Sequence, residues 1–152
     1  MLEERIRRCG EGGMSILVGT ADAAGVPSCC RGIALTTSRD LSTVTVYVPV
    51  ATSQEVIANL ATTRRIAIAA SQPIGHSTVQ LKGTTAGVRL ARAEEAEYVN
   101  LRLDQFADVL DQIGVPRRVT RAMNHWPAFA VDVKIEEVYD QTPGPNAGIS
   151  LT

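Results

Sequence analysis

The chain has 152 residues, 45% of them hydrophobic and 20% charged, which is enough apolar material for one core and too much for a disordered segment. Fifteen Lys and Arg against sixteen Asp and Glu leave a formal charge of −1, so no bulk basic field exists to hold nucleic acid or an anionic membrane surface. Three Tyr, two Phe and one Trp are too few for a base-stacking platform, and no apolar run approaches the roughly 18 residues of a membrane span.

Met1 to Gly13 reads as a charged helical lead-in. Glu3, Glu4, Arg5, Arg7 and Arg8 crowd the segment Leu2–Cys9, and Gly10, Gly12 and Gly13 end it. It has no apolar h-region, so it does not read as a signal peptide. Three cysteines, Cys9, Cys29 and Cys30, are odd in number and lack framework spacing, which suits a reducing, cytoplasmic setting. Strands follow. Ser15–Ala21 and Ser28–Thr36 flank Asp22–Pro27, whose Gly25 and Pro27 mark a turn, and the two segments predict an antiparallel hairpin. Ser38–Ser42 is a second turn, and Thr43–Val48 places Val44, Val46 and Val48 on one face.

The period then changes. Thr52 and Glu55 have capping-box spacing, and Val56, Ile57 and Leu60 predict a short helix over 53–60. Arg65–Ala70 returns to strand, and Ser71–His76 is a loop. Thr78–Leu90 is long enough for a bent strand, with Gly83 and Gly87 as bulge points. Ala96, Val99, Leu103, Phe106, Leu110 and Ile113 recur at spacings of three and four, the clearest amphipathic helix in the chain, stopped by Gly114. Pro116 opens another short helix reaching Asn124. Phe129, Val131, Val133 and Ile135 alternate with polar residues as a last, half-buried strand. The Pro/Gly-rich tail, residues 140–152, is expected to lack regular structure, as a frayed end or as an arm over a partner. There is no repeat and no linker, so residues 1–152 form one domain. The fold class is mainly β with helices: a small antiparallel barrel decorated by helices, with an open α+β sandwich as the alternative.

Several stretches resemble the FMN-binding split-barrel family, the relatives of pyridoxamine 5′-phosphate oxidase. They are "ILVGTADAAGVPS", "TVTVYVPVATSQEVIANLATTRRIAIAAS", "TVQLKGTTAGV" and "AVDVKIEEVY", and together they span Ser15 to Tyr139. The resemblance implies a split β-barrel that dimerises and holds FMN in a groove at the interface, with F420 or haem as alternative cofactors. It implies a flavoprotein of oxidoreductase type with a small-molecule substrate. The implied cofactor-binding residues are Arg31, Val50, Thr52, Ser53, Gln54, Arg65 and Trp126, with the phosphate against the helix start at Ala51–Val56.

The chain departs from that family where the phosphate belongs. Members commonly carry a basic residue, often Lys, where Val56 stands and another near Glu55. Glu55 repels a phosphate, while Thr52, Ser53 and Gln54 still offer hydrogen bonds, and Arg31, Arg64 or Arg65 could bring charge. No second phosphate site is discernible, so true pyridoxamine-phosphate oxidation is not expected. The competing function is a non-catalytic binding or stress-response module of the same fold that has lost its cofactor site. Each feature also has a plainer role: Thr52 and Glu55 as a structural cap, Arg64 and Arg65 as a solvated strand entry, Trp126 as a core or seam anchor. Cys29 and Cys30, adjacent on a strand, point to opposite faces and cannot chelate one metal together. His76 and His125 have no ligand-spaced neighbours. No metal site and no catalytic protein residue is assigned.

Overall fold

The computed structural model describes residues 2–152. Helix α1 (Leu2–Cys9) leads into β1 (Ser15–Ala21), β2 (Pro27–Gly32), β3 (Ala34–Thr37) and β4 (Thr43–Pro49). A 3₁₀ turn (Val50–Thr52) precedes α2 (Gln54–Thr62), and β5 (Arg65–Ser71) and β6 (Thr78–Leu90) follow. Helices α3 (Ala96–Asp111) and α4 (Arg117–Arg121) separate β6 from β7 (Ala128–Asp140), and β8 (Ile149–Ser150) ends the chain.

Every pairing is antiparallel, in the order β2-β1-β5-β6-β7-β4-β3, with β8 on β7. The two terminal strands of that order are neighbours in sequence, separated by Ile33 alone. One continuous stretch therefore pairs with β1 through its first half and with β4 through its second, and the sheet curls into a split barrel. The strand expected over Ser28–Thr36 divides at this point. Cys30 and Leu35 point into the barrel, whereas Ile33 and Ala34 both belong to an outer cluster with Tyr47, Val99, Leu103 and Ala130. Two consecutive residues on the same face break the alternation of a strand, so the pairing must change there.

The barrel is filled by branched side chains at every second position: Ile16 and Val18, Val44, Val46 and Val48, Ile66 and Ile68, Val131 and Val133. Ile6 and Cys9 of α1 and Val56 and Leu60 of α2 join this core. Burial pushes the Cys9 thiol up to about 12 and the Cys30 thiol up to about 11; both are inert packing residues at neutral pH. Helix α3 covers the outside of β3 and β4, where Tyr98 donates its hydroxyl to the Leu35 carbonyl at 2.9 Å. Its start is held by Glu95, which accepts two 2.7 Å bonds from Arg89 and a 2.9 Å bond from the Tyr47 hydroxyl. The outer face of β1, β2, β5 and β6 is exposed, and Leu17 at its centre is 47% accessible.

The bulges expected at Gly83 and Gly87 are present as register shifts at Lys82/Gly83 and Thr85/Gly87. Gly83 has a steric cause, since a Cβ there would lie 1.9 Å from the Lys134 carbonyl oxygen. Helix α3 stops before Gly114, whose φ of +93° suits glycine. Three local expectations are corrected. Helix α4 ends at Arg121, short of Asn124. The α2 N-cap is Ser53, one residue later than the Thr52–Glu55 box requires, and neither side chain of that box caps the helix. Finally, the tail turns back on its own chain: Gly148 N–H donates to the Asp140 carbonyl, Leu151 N–H donates to the Val138 carbonyl, and Leu151 packs on the core. Its end is therefore ordered against its own chain and not frayed. Among the described residues no helix is long and apolar enough to cross a membrane.

Candidate functional site

The exposed outer face of β1, β2, β5 and β6 carries a concavity of about 500 Å³. Side chains alternate along a strand, so only the odd-numbered residues of β1, β2 and β5 reach this face. Here those residues are small. Gly19, Ala21 and Ala67 form the floor, Pro27 and Cys29 one wall, and Arg65 and Lys82 the other. A second concavity, about 220 Å³, opens beside it and is lined by Cys29, Ala51, Thr52, Gln54, Glu55 and Val56. Cys29 lines both. Between them the Ser28 hydroxyl of β2 donates to the Glu55 carboxylate at 3.2 Å, tying the first turn of α2 to the sheet. The two spaces adjoin at Cys29 and are treated as two arms of one groove, an apolar arm on the sheet and a polar arm at the helix start.

Charge differs between the arms. The first turn of α2 presents backbone N–H groups and a positive dipole end, which favour an anion. Glu55 stands in that turn with its carboxylate exposed, and no basic side chain lines the polar arm. The apolar arm carries two cations. Arg65 is bonded to Glu136 at 2.7 Å, and Thr84 and Arg65 together hold the Glu136 carboxyl below its usual range. Lys82 lies with its Nζ 4.7 Å from the Tyr139 ring centroid.

The groove gathers some of the expected site residues and leaves others apart. Thr52 and Gln54 line the polar arm, and Arg65 lines the apolar arm. Ser53 is fully buried, and its hydroxyl donates to the Pro49 carbonyl at 2.6 Å, so it faces the interior. Val50 is occupied through its backbone, donating to the Pro127 carbonyl. That bond sets Val50 next to the Trp126–Pro127 step, and Trp126 itself is 36% exposed. Arg31 lies one pleat along β2 from Cys29. It donates to the Ser15 hydroxyl at 3.0 Å and packs over the Phe106 ring. Arg64 turns away, donating to the Thr85 carbonyl.

Sequence reasoning missed Gly19, Ser28, Cys29, Ala67 and Lys82. Gly19, Cys29, Ala67 and Lys82 share one signal, opposed positions on one face of paired strands, which becomes readable only once the register is known. It also missed a polar cleft of about 420 Å³ on another side of the barrel, where Arg7 and Arg102 meet Thr36, Thr37 and Tyr98 opposite Glu11. Arg102 donates to the Tyr98 hydroxyl and to Gln105.

No protein-family model matches the chain, and no curated protein matches its sequence. Solved structures do match. HupZ of Group A Streptococcus is 18% identical with a TM-score of 0.58, the alignment covering 97% of this chain and 100% of that one. An FMN-binding protein from Syntrophomonas wolfei is 11% identical with a TM-score of 0.54, covering 98% and 85%. An F420 reductase is 11% identical with a TM-score of 0.54, covering 87% and 94%. Closure of the sheet by β2 and β3, the helices packed on its core and these neighbours agree: the chain has a split-barrel fold.

Proposed function

We propose that the chain is a flavin-binding protein of oxidoreductase type that works as a cytoplasmic homodimer. The observation that carries this reading is the groove itself: a flat apolar arm of a size suited to a ring system, joined at Cys29 to a polar arm at a helix start. The small floor residues fit a flat ring. At the other end the helix N–H groups, the Thr52 hydroxyl and the Gln54 amide fit a phosphate, while Glu55 opposes it. FMN is the favoured cofactor, and F420 is the alternative. Haem is less well served, because neither histidine lines either arm and the His125 ring is engaged with the Met123 carbonyl at 2.9 Å.

A bound flavin would supply hydride or electron transfer. The protein's own part is to hold the ring on the sheet and to set the charge around it. A partner copy laid over the exposed outer sheet would exclude water from the apolar arm and bury Leu17. Purified protein mixed with FMN and passed over a sizing column is expected to carry the flavin's visible absorbance. Colourless protein after this treatment refutes the reading. Sedimentation is expected to give twice 16.2 kDa, and a monomer mass that persists at high concentration refutes the dimer. One observation favours a second reading, a cofactor-free binding module: the uncompensated Glu55 carboxylate in the polar arm.

A further inference from the structure

Four outward-facing residues, one each from β2, β1, β5 and β6, stand in a single cross-strand row. Cys29 pairs with Gly19, Gly19 with Ala67, and Ala67 with Lys82. Strands about 4.8 Å apart make that row roughly 14 Å long. Its middle has no side-chain atom beyond a Cβ, and a Cβ built on Gly19 would meet nothing within 4 Å. The centre is therefore a flat shelf, and its ends are a thiol and an ammonium.

The two cations lining this arm are not equivalent. Arg65 is committed to Glu136. Lys82 makes no ion pair among the described residues. Its cross-strand neighbour Glu137 is engaged by the Tyr139 hydroxyl and approached by Arg65. Lys82 thus brings to one end of an apolar shelf a positive charge that rests near the Tyr139 ring and that no carboxylate among the described residues neutralises. Resting on the flavin reading above, we infer that the ring lies along this row with its pyrimidine edge at Lys82, and that Lys82 favours the reduced ring. A flavin that takes up two electrons and one proton holds a negative charge on that edge, and an adjacent ammonium stabilises this form over the neutral oxidised ring.

Riboflavin is the probe, because it has no phosphate and so ignores the helix end. Three chains are compared for binding to oxidised riboflavin and to riboflavin reduced with dithionite: wild type, Gly19→Leu and Lys82→Met. Gly19→Leu fills the shelf from a position where added atoms meet open space, and it is expected to weaken both redox forms at least tenfold. Ala67→Leu repeats the block from the neighbouring strand should the first variant fold poorly. Lys82→Met leaves the shelf intact and is expected to weaken the reduced form at least tenfold more than the oxidised form. That difference lowers the midpoint potential of the bound flavin by about 30 mV.

Unchanged binding in both shelf variants overturns the placement, as does a wild type that binds FMN but not riboflavin. Lys82→Met acting equally on both redox forms overturns the assigned role of Lys82. In these three cases the flavin reading stands. A wild type that binds neither flavin overturns both.

Discussion

Replacing Glu55 with lysine exchanges a negative for a positive charge in the first turn of α2, at the mouth of the polar arm. The wild-type carboxylate is exposed and shares a 3.2 Å bond with Ser28, so its removal costs the unliganded protein little, about 0.5 kcal/mol. A flavin phosphate at this end gains more. Relief of an unfavourable charge at an exposed helix terminus is worth about 0.3–1 kcal/mol, and a new charge-assisted hydrogen bond from lysine adds about 1.5–3 kcal/mol. The sum predicts at least a tenfold tighter complex with FMN, since about 1.4 kcal/mol corresponds to a factor of ten. Quenching of flavin fluorescence measures this directly. The gain should shrink as salt is raised, because the site is open to solvent, and riboflavin should gain little. An unchanged FMN affinity, or an equal gain for riboflavin, would show that the phosphate does not lie at α2.

Glu95→Gln should destabilise the fold by about 2 kcal/mol in urea titrations, the scale of a lost charged hydrogen bond. Arg89 holds the Glu95 carboxyl down to about 2, from an ordinary 4.5. Its stabilisation is therefore complete above pH 4.5 and lost as the pH falls toward 2, and the variant should show a flatter stability profile across that window. Gly83→Ala should cost at least 2 kcal/mol by overpacking against the Lys134 carbonyl, and a melting temperature equal to wild type would count against the bulge geometry. Deleting Gly148–Thr152 should lower stability by about 1–2 kcal/mol through the exposed core contact of Leu151, and should leave the sedimentation mass unchanged; loss of the dimer would restore the reading of the tail as an arm.

Element order was legible in the sequence because each element carries a local signature. Alternating Val44, Val46 and Val48 mark a strand with one face in the core, and the spacing from Ala96 to Ile113 marks an amphipathic helix. Gly83 and Gly87 announced their bulges in the same way. The site was less legible because it is built across strands. Lys82 and Cys29 are 53 positions apart, and nothing local ties them together; their shared row exists only through β1 and β5. Ser53 misled for the opposite reason. Its type and place suit phosphate binding, but the 3₁₀ turn before α2 rotates its hydroxyl back to Pro49. The tail's Pro143-Gly144-Pro145 argued against regular structure, which holds for those residues, while Ile149 and Ser150 beyond them pair with β7.

The stretch from Pro27 to Thr37 closes the barrel alone, and this bears on how the sheet is kept from pairing with other chains. Any open sheet exposes two edges whose unpaired N–H and C=O groups can recruit strands from other chains. Here β2 shields the edge of β1 while β3 shields the edge of β4. A disturbance at Ile33 that lifted this segment would bare both edges together, along with the valine-rich interior behind them. The hazard of aggregation is concentrated in eleven consecutive residues, and the packing of Ile33 against Val99 and Leu103 of α3 is the guard against it.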